Sequence, residues 1–497
     1  MQGMKKEIIV IDYGTSNVRV NMIDTATGDI VHSASQKYAM EDKGMGYAEI
    51  STNDLWMHSV SCMKKVMDSL GVDEEYVALS FSFFGDNLIP VDCDGNALND
   101  CILCMDARGE QEMCEINESI PKEQQIDEIG DWYSMPYKYG TKVAWIKKHG
   151  ARNQGEIAGY DSLQQFIFRR LNLSPVNDYT MAVRKQICNL TSLKWSQPFM
   201  KTLGLTEEEV GSEIVPSDTI VGYINHYGNV EFNKEIPVIA GGHDCDMALI
   251  GMGLIHEDMD IIGDVIGTFD HVGYSAEHMI NIKKEQPETE LCSSHGALKY
   301  LMSILGAFPT AGATLEWFMR VIHGSAESVD YQYYWDHVNF DGKGNVFVCP
   351  TFDAGRGKIE GLGMTSTKSD IFKGIIEALT FENRKLIDMC EKSKGQKVNS
   401  VRVCGGGAVS DEWMQLRADI SGRNIERMKN IQCSSLGSAV LAAVKVGIYK
   451  NLDEAVEHMV CVKDIFEPQN KEKSRYEEKY ERYIKKWVIQ SCRKDEI

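Results

Sequence analysis

Apolar residues recur along the chain with the period of a strand in some segments and that of a helix in others. Residues 8–23 (IIVIDYGTSNVRVNMI) predict a strand, a tight turn and a second strand, and residues 261–275 (IIGDVIGTFDHVGYS) repeat this pattern. Asn53 to Ser69 and Ser369 to Cys390 predict helices, and we expect Ser369 to cap the longer one. Because each strand–turn–strand opening begins about half of the chain, the pattern predicts an α/β protein of two domains with a cleft between them.

The charge balance narrows the classes of function. The 497 residues are 43% hydrophobic and 25% charged, which is typical of a globular protein. With 73 acidic and 52 basic residues the net charge is -21, and a field of this sign repels nucleic acid and anionic membrane surfaces. We therefore expect no nucleic-acid partner and no membrane partner. A small anionic ligand such as a nucleotide would need backbone amides or a metal ion to create a local positive site.

Targeting signals and cysteine usage indicate a cytoplasmic protein. The apolar run at residues 8–11 is too short for a signal-peptide core, and the uncharged stretch at residues 300–315 is too short for a membrane span. The 14 cysteines are scattered, as in a reduced compartment. Cys101 and Cys104 form a CxxC pair, but the residues between them predict a strand, in which positions three apart face opposite sides. We therefore interpret this pair as structural rather than as a zinc site.

Two turns have the chemistry of phosphate-binding loops. Asp12 ends the first buried strand, and Gly14, Thr15 and Ser16 form the turn after it. Turn amides and hydroxyls can hold phosphate oxygens, and Asp12 is placed to hold Mg²⁺ through water. A plain hairpin with a capping aspartate is the alternative. Gly267-Thr268 occupies a similar place in the second half, so the two turns could clasp one polyphosphate from both sides of a cleft.

A run of three glycines lies between a predicted strand and a predicted helix. Gly405, Gly406 and Gly407 are followed there by Ala408. Such a turn lets a flat or anionic group lie against bare backbone at a helix N-terminus. The spacing does not match the dinucleotide fingerprint GxGxxG, which argues against a nicotinamide-dependent dehydrogenase. A tight strand–helix crossover is the alternative interpretation.

Asp244 is the candidate general base. It follows a short buried strand and the pair Gly241-Gly242, at the start of a helix rich in small residues. The glycines allow a substrate to approach the carboxylate, which suits proton transfer from a hydroxyl group. An N-capping aspartate is the alternative, and Asp246 competes for the same role. We expect His243 to be a hydrogen-bonded turn residue rather than a ligand.

In this order, the four segments resemble those of the FGGY family of carbohydrate kinases, within the actin/Hsp70/hexokinase-like ATPase superfamily. The resemblance covers nearly the whole chain and implies an α/β, ribonuclease H-like/actin-like ATPase fold with a deep interdomain cleft. It implies a sugar-binding N-terminal domain at residues 1–247 and an adenosine-binding C-terminal domain at residues 248–497. The implied cofactors are ATP and Mg²⁺. The spacing from Asp244 to Gly251 resembles that between the family's catalytic aspartate and a helix glycine, which favours Asp244 over Asp246.

The resemblance also implies which residues bind the nucleotide. Asp12 to Arg19 resembles the family's first phosphate motif, Gly267-Thr268 its second, and residues 405–410 its adenosine motif, which Leu436 to Ala439 would close. The implied ATP and phosphate ligands are Gly14, Thr15, Ser16, Arg19, Gly267, Thr268, Gly405, Gly406, Gly407 and Ala408. Gln432 stands where many members of the family have glutamate.

The acceptor site follows from the same resemblance. The residues that resemble the family's sugar-contacting parts are Glu49, Trp56, Asp86, Asn87, Asp106 and Arg108, together with the catalytic Asp244. Residues 139–145 resemble the family's Lys-x-x-Trp signature. The loop at residues 84–87 lacks the Gln-Met-His of xylulokinases and the Gln-Arg-Glu-Thr of glycerol kinases. Ketopentose, ketohexose, aldonate and short polyol therefore all stay open as the acceptor.

The expected activity is ATP-dependent phosphorylation of a hydroxyl of a ketose, polyol or related sugar, with Asp244 as general base and Mg-ATP held between the domains. An ATP-switched binding protein of the actin and Hsp70 kind, without sugar phosphorylation, is the alternative. The polar residues Asp86, Asp106 and Arg108 argue against it, since such a protein needs no sugar pocket. The expected partner is a small sugar or polyol, and a homodimer is compatible with the sequence.

Overall fold

The computed structural model describes residues 5–42, 46–153, 155–211, 213–308, 311–324, 331–338, 340, 346–352 and 357–488. Contacts within the chain divide it into two compact units. The first unit consists of Met1–Glu257, Ser275–Ile304 and Gln432–Cys461, and the second of Asp258–Tyr274, Leu305–Ile431 and Val462–Ile497. The functional boundary expected between residues 247 and 248 stays a prediction. Within the described ranges, no helix is both long enough and apolar enough to cross a membrane.

Up to residue 257 the strands are β1 (Lys5–Tyr13), β2 (Asn17–Asp24), β3 (Ile30–Lys37), β4 (Met40–Asp42), β5 (Ala48–Ile50), β6 (Glu74–Phe83), β7 (Ile89–Val91), β8 (Cys101–Ile102), β9 (Gly159–Asp161), β10 (Asn177–Asp178), β11 (Ile214–Val215), β12 (Ile220–Tyr227), β13 (Val230–Ile239) and β14 (Gly242–His243). The α-helices of this part are α1 (Thr52–Asp68), α2 (Glu110–Ser119), α3 (Lys122–Ile129), α4 (Tyr139–His149), α5 (Leu163–Arg170), α6 (Tyr179–Arg184), α7 (Gln197–Leu203), α8 (Glu207–Val210) and α9 (Asp244–Gly251).

Beyond residue 257 the strands are β15 (Ile261–Ile266), β16 (Asp270–Ala276), β17 (Cys292–His295), β18 (Met302–Phe308), β19 (Phe347–Cys349), β20 (Lys358–Glu360), β21 (Ser400–Cys404), β22 (Asn424–Met428) and β23 (Val462–Phe466). The α-helices are α10 (Ile282–Glu285), α11 (Ala311–Trp317), α12 (Tyr331–His337), α13 (Lys368–Lys394), α14 (Asp411–Ser421), α15 (Cys433–Lys445), α16 (Leu452–Met459) and α17 (Asn470–Tyr483). Gly406–Val409 forms a 3₁₀ turn, and Phe318–His323 and Ile484–Val488 are π-helical.

The sheet of the first unit is built on the predicted strand–turn–strand opening, which the structure confirms. Its strand order is β12-β13-β6-β1-β2-β3, with β2 antiparallel and β6 parallel to β1. β1 is apolar on both faces because a buried cluster lies on each side of the sheet. Ile9 and Ile11 pack with residues of α1, whereas Ile8 and Val10 pack with residues of α9 and α15. Since side chains alternate along a strand, Asp12 lies on the same face as α9.

Helices α9 and α15 of the first unit contact each other through their backbones. A Cβ on Gly251 of α9 would overlap the carbonyl oxygen of Cys433, and a Cβ on Gly437 of α15 would overlap that of Met247. The two glycines therefore permit an approach that any side chain at these positions would block. The helix that carries Asp244 is thus packed against a segment that lies far from it in the sequence.

In the second unit, residues 261–275 form the predicted hairpin from β15 to β16. β21 pairs parallel with β15, β22 pairs parallel with β21, and β23 pairs antiparallel with β22. A hairpin beside a parallel neighbour is the arrangement that β1, β2 and β6 form in the first unit. The three glycines lie, as predicted, between a strand (β21) and a helix (α14).

The long helix predicted at Ser369 to Cys390 is α13, but its N-cap is Thr367, so the prediction that Ser369 caps it is wrong. The Thr367 hydroxyl accepts a hydrogen bond from the Asp370 N–H, and the Asp370 carboxylate accepts one from the Thr367 N–H (2.8 Å). This reciprocal capping box satisfies two N–H groups that would otherwise lack partners, and it leaves Ser369 inside the first turn.

Candidate active site

The hairpin of β1 and β2 carries four of the predicted phosphate-binding residues, Gly14, Thr15, Ser16 and Arg19. The Gly14 N–H donates to the carbonyl oxygen three residues further on (3.0 Å), and Thr15 is partly buried while Ser16 is exposed. Asp12 lies opposite Arg19 on β2, and Arg19 Nη1 is 3.8 Å from Asp12 Oδ2. The turn therefore carries a carboxylate, two hydroxyls and a guanidinium within a few residues.

Asp12 is nearly buried, and a second carboxylate lies near it. Burial raises the pKa of Asp12 to about 6, although Arg19 and Ser82 act to lower it. The charge of Asp244 raises that pKa further. Asp12 and Asp244, which are far apart in the sequence, are thus close enough to repel each other, and such a pair favours a proton or a cation between them.

The first turn of α9 holds two carboxylates in different environments. The Asp244 side chain is 31% exposed, and its Oδ1 accepts a hydrogen bond from the Cys245 N–H (2.7 Å). Asp246 is buried, and its Oδ2 accepts a hydrogen bond from Nδ1 of His243 (2.7 Å). The other ring nitrogen of His243, Nε2, is 3.3 Å from Asp244 Oδ1. His243 is therefore a hydrogen-bonded turn residue, as predicted, and Asp244 is the more accessible carboxylate.

The pair Gly241-Gly242 allows the backbone before Asp244 to pack tightly. Gly241 has a φ of 63°, and a Cβ on it would overlap the carbonyl oxygen of Phe81. A Cβ on Gly242 would lie 2.6 Å from Thr180 Oγ1. The His243 N–H donates to that same hydroxyl (2.7 Å). Both glycines thus fix the strand end from which Asp244 projects.

Asp178 and Thr180 support this turn, and the sequence analysis missed both. Thr180 Oγ1 donates to Asp178 Oδ1 (2.6 Å), and Ser217 Oγ donates to the same oxygen (2.7 Å). Burial raises the pKa of Asp178 to about 6, although these hydrogen bonds act to lower it. The only signal in the sequence was an aspartate before a short helix, which indicates an N-cap but not a link to residue 243.

The loop at residues 84–87 lies beside the Asp244 turn. A Cβ on Gly85 would be 2.7 Å from Cδ2 of His243. Asp86 has a φ of 52°, in the left-handed region, and Lys142 Nζ donates a hydrogen bond to its carbonyl oxygen. Burial raises the pKa of the Cys104 thiol to about 12, and Asp86 and Asp244 both act in the same direction. Asp86 and Asp244 therefore lie around the same sulfur atom.

Asn87 and Trp56, which are also predicted to bind the acceptor, make contacts with other residues of the chain in this structure. Asn87 is buried; its amide donates to the Phe84 carbonyl (2.5 Å), and its side-chain oxygen accepts from the Leu163 N–H (2.6 Å). The Trp56 ring packs on that of Tyr227, with centroids 4.9 Å apart. In this structure Asn87 shapes the loop and Trp56 contributes to the core.

Glu49, Asp106 and Arg108 form a buried ion-pair network. Arg108 Nη2 is 2.7 Å from Glu49 Oε1 and 2.7 Å from Asp106 Oδ2. Its guanidinium lies over the ring of Trp145, 5.0 Å from the centroid. Arg152 also pairs with Glu49. The predicted acceptor residues thus divide into this closed network and the neighbourhood of Asp86 and Asp244.

One group of side chains in the described part of the chain has donor atoms close enough together to hold a metal ion: His243, Asp244 and Cys245. Burial, together with Asp244 and Asp246, raises the pKa of the Cys245 thiol well above its usual value, so the thiolate that metals bind is disfavoured. Cys101 and Cys104 belong to no such group among these residues, and their structural interpretation stays a prediction.

In the second unit, the predicted phosphate turn and the three glycines meet at Ile266. The Gly267 N–H donates to the carbonyl oxygen two residues further on (2.8 Å), which closes the turn that includes Thr268. A Cβ on Gly405 would lie 2.5 Å from the Ile266 carbonyl oxygen, and one on Gly407 would overlap the Ile266 side chain. A Cβ on Gly406 would meet nothing within 4 Å. Gly405 and Gly407 therefore serve packing, while Gly406 presents open backbone.

The Gly267-Thr268 turn has a further support at the start of α11. The Gly312 N–H donates to the Gly267 carbonyl oxygen (3.2 Å), and a Cβ on Gly312 would lie 2.6 Å from that oxygen. The sequence showed Gly312 only as an interruption of an apolar stretch, which carries no information about this contact.

Arg417 of α14 joins both strands of the same hairpin. Its Nη2 is 2.6 Å from Asp270 Oδ2 and its Nη1 pairs with Asp264 Oδ2; all three side chains are buried. Burial raises the pKa of Asp264 against the opposing charge of Arg417, and Asp270 raises it further. Burial acts to raise the pKa of Asp270 too, but Arg417 and Asp264 together lower it. Within this coupled pair, Asp264 is therefore the carboxylate that more readily takes up a proton, and Asp270 the one that more readily stays ionised against the guanidinium.

Comparison with solved structures defines the class of fold. A gluconate kinase from Lactobacillus acidophilus matches with a TM-score of 0.82 at 21% identity, over 97% of each chain. A Plasmodium falciparum glycerol kinase, solved with ADP, matches with a TM-score of 0.79 at 17% identity, over 98% of this chain and 99% of the other. The fold is therefore that of these kinases, a two-domain actin-like ATPase fold.

Sequence comparison gives the family. A xylulose kinase from Staphylococcus epidermidis is 24% identical over 495 residues, covering 97% of this chain and 96% of the relative. A Bacillus licheniformis glycerol kinase is 25% identical over 493 residues, covering 95% and 96%. Models of the N-terminal and C-terminal domains of the FGGY family of carbohydrate kinases match residues 7–251 and 291–446. The chain belongs to this family. It is a sugar kinase, a phosphotransferase with an alcohol group as acceptor, and kinases of this family use ATP.

Proposed function

We propose that this chain catalyses the ATP-dependent phosphorylation of a hydroxyl group on a ketose, polyol or related sugar, with Asp244 as general base. The xylulose, glycerol and gluconate kinases among its relatives define the acceptor classes to be considered. The observation that carries the proposal is the Asp244 carboxylate. It is 31% exposed at the start of α9, whereas the neighbouring Asp246 is buried against His243.

Asp244 accepts the proton of the acceptor hydroxyl as the hydroxyl oxygen attacks the γ-phosphorus in line, and the bond from that phosphorus to the β,γ-bridging oxygen breaks, so that ADP leaves. The Cys245 N–H and His243 Nε2 lie against its Oδ1, and Asp246 anchors the other nitrogen of His243, so the carboxylate is oriented before the substrate binds. A general base contributes roughly 10²–10⁴-fold to such a reaction. Positioning and electrostatic stabilisation supply the rest of the rate enhancement.

Asp12 holds Mg²⁺ through water. The Asp12 carboxylate is buried, and Asp244 lies close to it. Because its pKa is raised to about 6, a positive charge beside it would stabilise the ionised form. A hard cation with oxygen ligands fits this environment, whereas the protonated thiol of Cys245 makes the His243–Asp244–Cys245 group a poor site for a softer metal. When bound, Mg²⁺ neutralises charge on the triphosphate.

Backbone amides and hydroxyls bind the nucleotide. Several such groups are needed, because the chain has a net charge of -21 and the negative charge of the triphosphate must be offset locally. The proposed ligands are Gly14, Thr15, Ser16 and Arg19 in the first unit, and Gly267, Thr268, Gly405, Gly406, Gly407 and Ala408 in the second. Open space beside Gly406 supports an adenosine ligand at the three glycines.

The acceptor is bound by the first unit. The proposed ligands are Glu49, Trp56, Asp86, Asn87, Asp106, Arg108 and Asp244. Of the six ligands proposed besides Asp244, Asp86 is the best placed, because Asp86 and Asp244 both raise the pKa of the same Cys104 thiol. We assign sugar binding to residues 1–247 and adenosine binding to residues 248–497. All these groups belong to one chain, so the chemistry does not require a homodimer.

A coupled assay of ADP release, with xylulose, glycerol and gluconate as acceptors, tests the proposal. We expect ADP formation that depends on one of these acceptors. Asp244→Asn should reduce turnover at least about a hundredfold, the lower limit for a general base, and leave Mg-ATP binding nearly unchanged. ADP release that no acceptor stimulates would contradict the kinase reaction, and an Asp244→Asn variant with normal turnover would remove Asp244 from the mechanism.

A further inference from the structure

Arg184, at the C-terminal end of α6, reaches the loop that carries Asp86. A Cβ on Gly85 would lie 3.3 Å from Cγ of Arg184. Burial acts to lower the pKa of Arg184, but the carboxylates of Asp246 and Asp86 outweigh it and raise that pKa. The guanidinium therefore lies near Asp86 and near the first turn of α9, which carries the proposed general base.

The guanidinium of Arg184 makes no hydrogen bond and no ion pair with any residue that the structure describes. Its Nε is completely buried and has no partner in that part of the chain, while the residue as a whole is partly exposed. Among the described residues, the Nε of the buried Arg417 lacks a partner too, but the guanidinium of Arg417, like that of Arg108, contacts two carboxylates directly, whereas that of Arg184 contacts none. A buried donor without a partner is costly, by roughly 1–3 kcal/mol, so an arginine in this state indicates a group that is absent from the free protein.

Asp86, like Arg184, has a buried polar atom that lacks a hydrogen-bond partner in the part of the chain that the structure describes. Its Oδ1 is buried without a donor among the described residues, and its backbone is in the left-handed region at a φ of 52°. Lys142 holds this conformation through the Asp86 carbonyl oxygen. Unmet hydrogen-bonding capacity and backbone strain that surrounding residues maintain are typical of ligand sites.

On the basis of the proposed kinase function, we infer that Arg184 and Asp86 together bind a part of the acceptor remote from the phosphorylated hydroxyl, and that this acceptor is uncharged. Neighbouring sugar oxygens match the pair, because one can accept from the guanidinium while the next donates to the carboxylate. Arg184 already lies near Asp86 and Asp246, so an acceptor with its own carboxylate would bring a further negative charge next to these two carboxylates and Asp244. A ketose or polyol therefore fits this subsite better than an aldonate does.

The test measures steady-state kinetics with xylulose, glycerol and gluconate for wild type, Arg184→Gln, Arg184→Lys and Arg170→Gln. Arg170 is the matched control, because it is exposed on α5 and contacts the ring of Phe166. With an uncharged acceptor, Arg184→Gln should raise the acceptor KM roughly 10- to 100-fold. The KM for Mg-ATP should not change, Arg184→Lys should recover part of the loss, and Arg170→Gln should behave as wild type.

Each other outcome overturns a defined part of the inference. If wild type phosphorylates an uncharged acceptor and Arg184→Gln leaves its KM unchanged, Arg184 is not a ligand. A wild-type preference for gluconate contradicts the uncharged acceptor. If wild type phosphorylates none of the three, ketohexoses are added as acceptors, and inactivity with these as well contradicts the proposed function and, with it, the inference. Thermal unfolding without acceptor shows whether Arg184→Gln has a folding defect. If it has, Arg184→Lys provides the test instead, and an acceptor KM equal to the wild-type value in that variant overturns the role of the guanidinium.

Discussion

Replacing both Asp264 and Asp270 by asparagine should destabilise the protein far more than the two single replacements taken together. The cluster contains two buried carboxylates and one buried guanidinium, so we expect the folded protein to keep a proton there. Either single change removes the need for that proton and leaves one carboxylate to face Arg417. The double change leaves Arg417 charged and buried without an anionic partner.

The magnitudes follow from this charge count. Loss of one partner of a buried ion pair costs about 3–5 kcal/mol, which is the expected loss for the double variant. Each single variant should stay within about 1 kcal/mol of wild type at neutral pH. The coupling free energy between the two positions should therefore be about 2 kcal/mol or more, well above the value for independent sites.

The dependence on pH provides a second signature. The pKa of Asp264 is higher in the folded than in the unfolded protein, so its contribution to stability is complete below the unfolded pKa and is lost as the pH rises toward the folded pKa. Asparagine at this position does not titrate. Asp264→Asn should therefore gain stability relative to wild type between about pH 4 and neutral pH, by at most about 1.4 kcal/mol per pH unit.

Urea denaturation at several pH values, followed by tryptophan fluorescence, measures these free energies. Trp413 is a local reporter, because the guanidinium of Arg417 lies 4.7 Å from its ring centroid. Asp388→Asn is the matched control, since Asp388 is a partly exposed carboxylate that pairs with Arg423 in the same unit. A double variant whose loss equals the sum of the single losses would refute the shared proton.

The remaining predictions concern the nucleotide. Asp12→Ala should weaken the binding of Mg-ATP by roughly 10- to 100-fold, the usual effect of losing an outer-shell group at a metal site, and calorimetry with and without Mg²⁺ would measure it; an unchanged affinity would reject its role. Gly406→Ala should leave thermal stability unchanged, because a Cβ there meets nothing within 4 Å, but it should raise the KM for ATP roughly 5- to 100-fold by crowding the ligand. Gly407→Ala, whose Cβ would overlap Ile266, should instead lower thermal stability by about 1–3 kcal/mol. A normal KM in a stable Gly406→Ala variant would place the adenosine elsewhere.

Local patterns in the sequence predicted the elements that carry the site. Alternating apolar residues with a glycine turn identified both hairpins, since the strand period and the turn chemistry are properties of a few adjacent residues. The choice of Asp244 over Asp246 rested on a spacing, and the structure adds a physical reason, which is that Asp246 is buried against His243. The N-cap of α13 was assigned wrongly because Thr367 and Ser369, two residues apart, are both suitable caps, and only the reciprocal hydrogen bonds with Asp370 select Thr367.

Contacts between distant parts of the chain were beyond the reach of sequence patterns. Nothing near Thr180 indicates that its hydroxyl accepts from the His243 N–H, 63 residues away. Nothing near Arg417 indicates that it pairs with Asp264 and Asp270. Such pairings are set by how the elements pack, so they emerge only when the tertiary structure is known. Arg184 is a further case, because an arginine near the end of a short helix gives no sign of where its guanidinium will lie.

The close contact of Gly251 with Cys433 and of Gly437 with Met247 bears on how the nascent chain folds on the ribosome. Residues up to 257 emerge first, but the apolar surface of α9 and of Ile8 and Val10 stays uncovered until the segment ending at Cys461 has been made. At elongation rates of about 5–20 residues per second this delay is about 10–40 s. The N-terminal half therefore cannot finish folding ahead of the rest, and a cell that makes this enzyme must keep that surface from aggregating throughout translation.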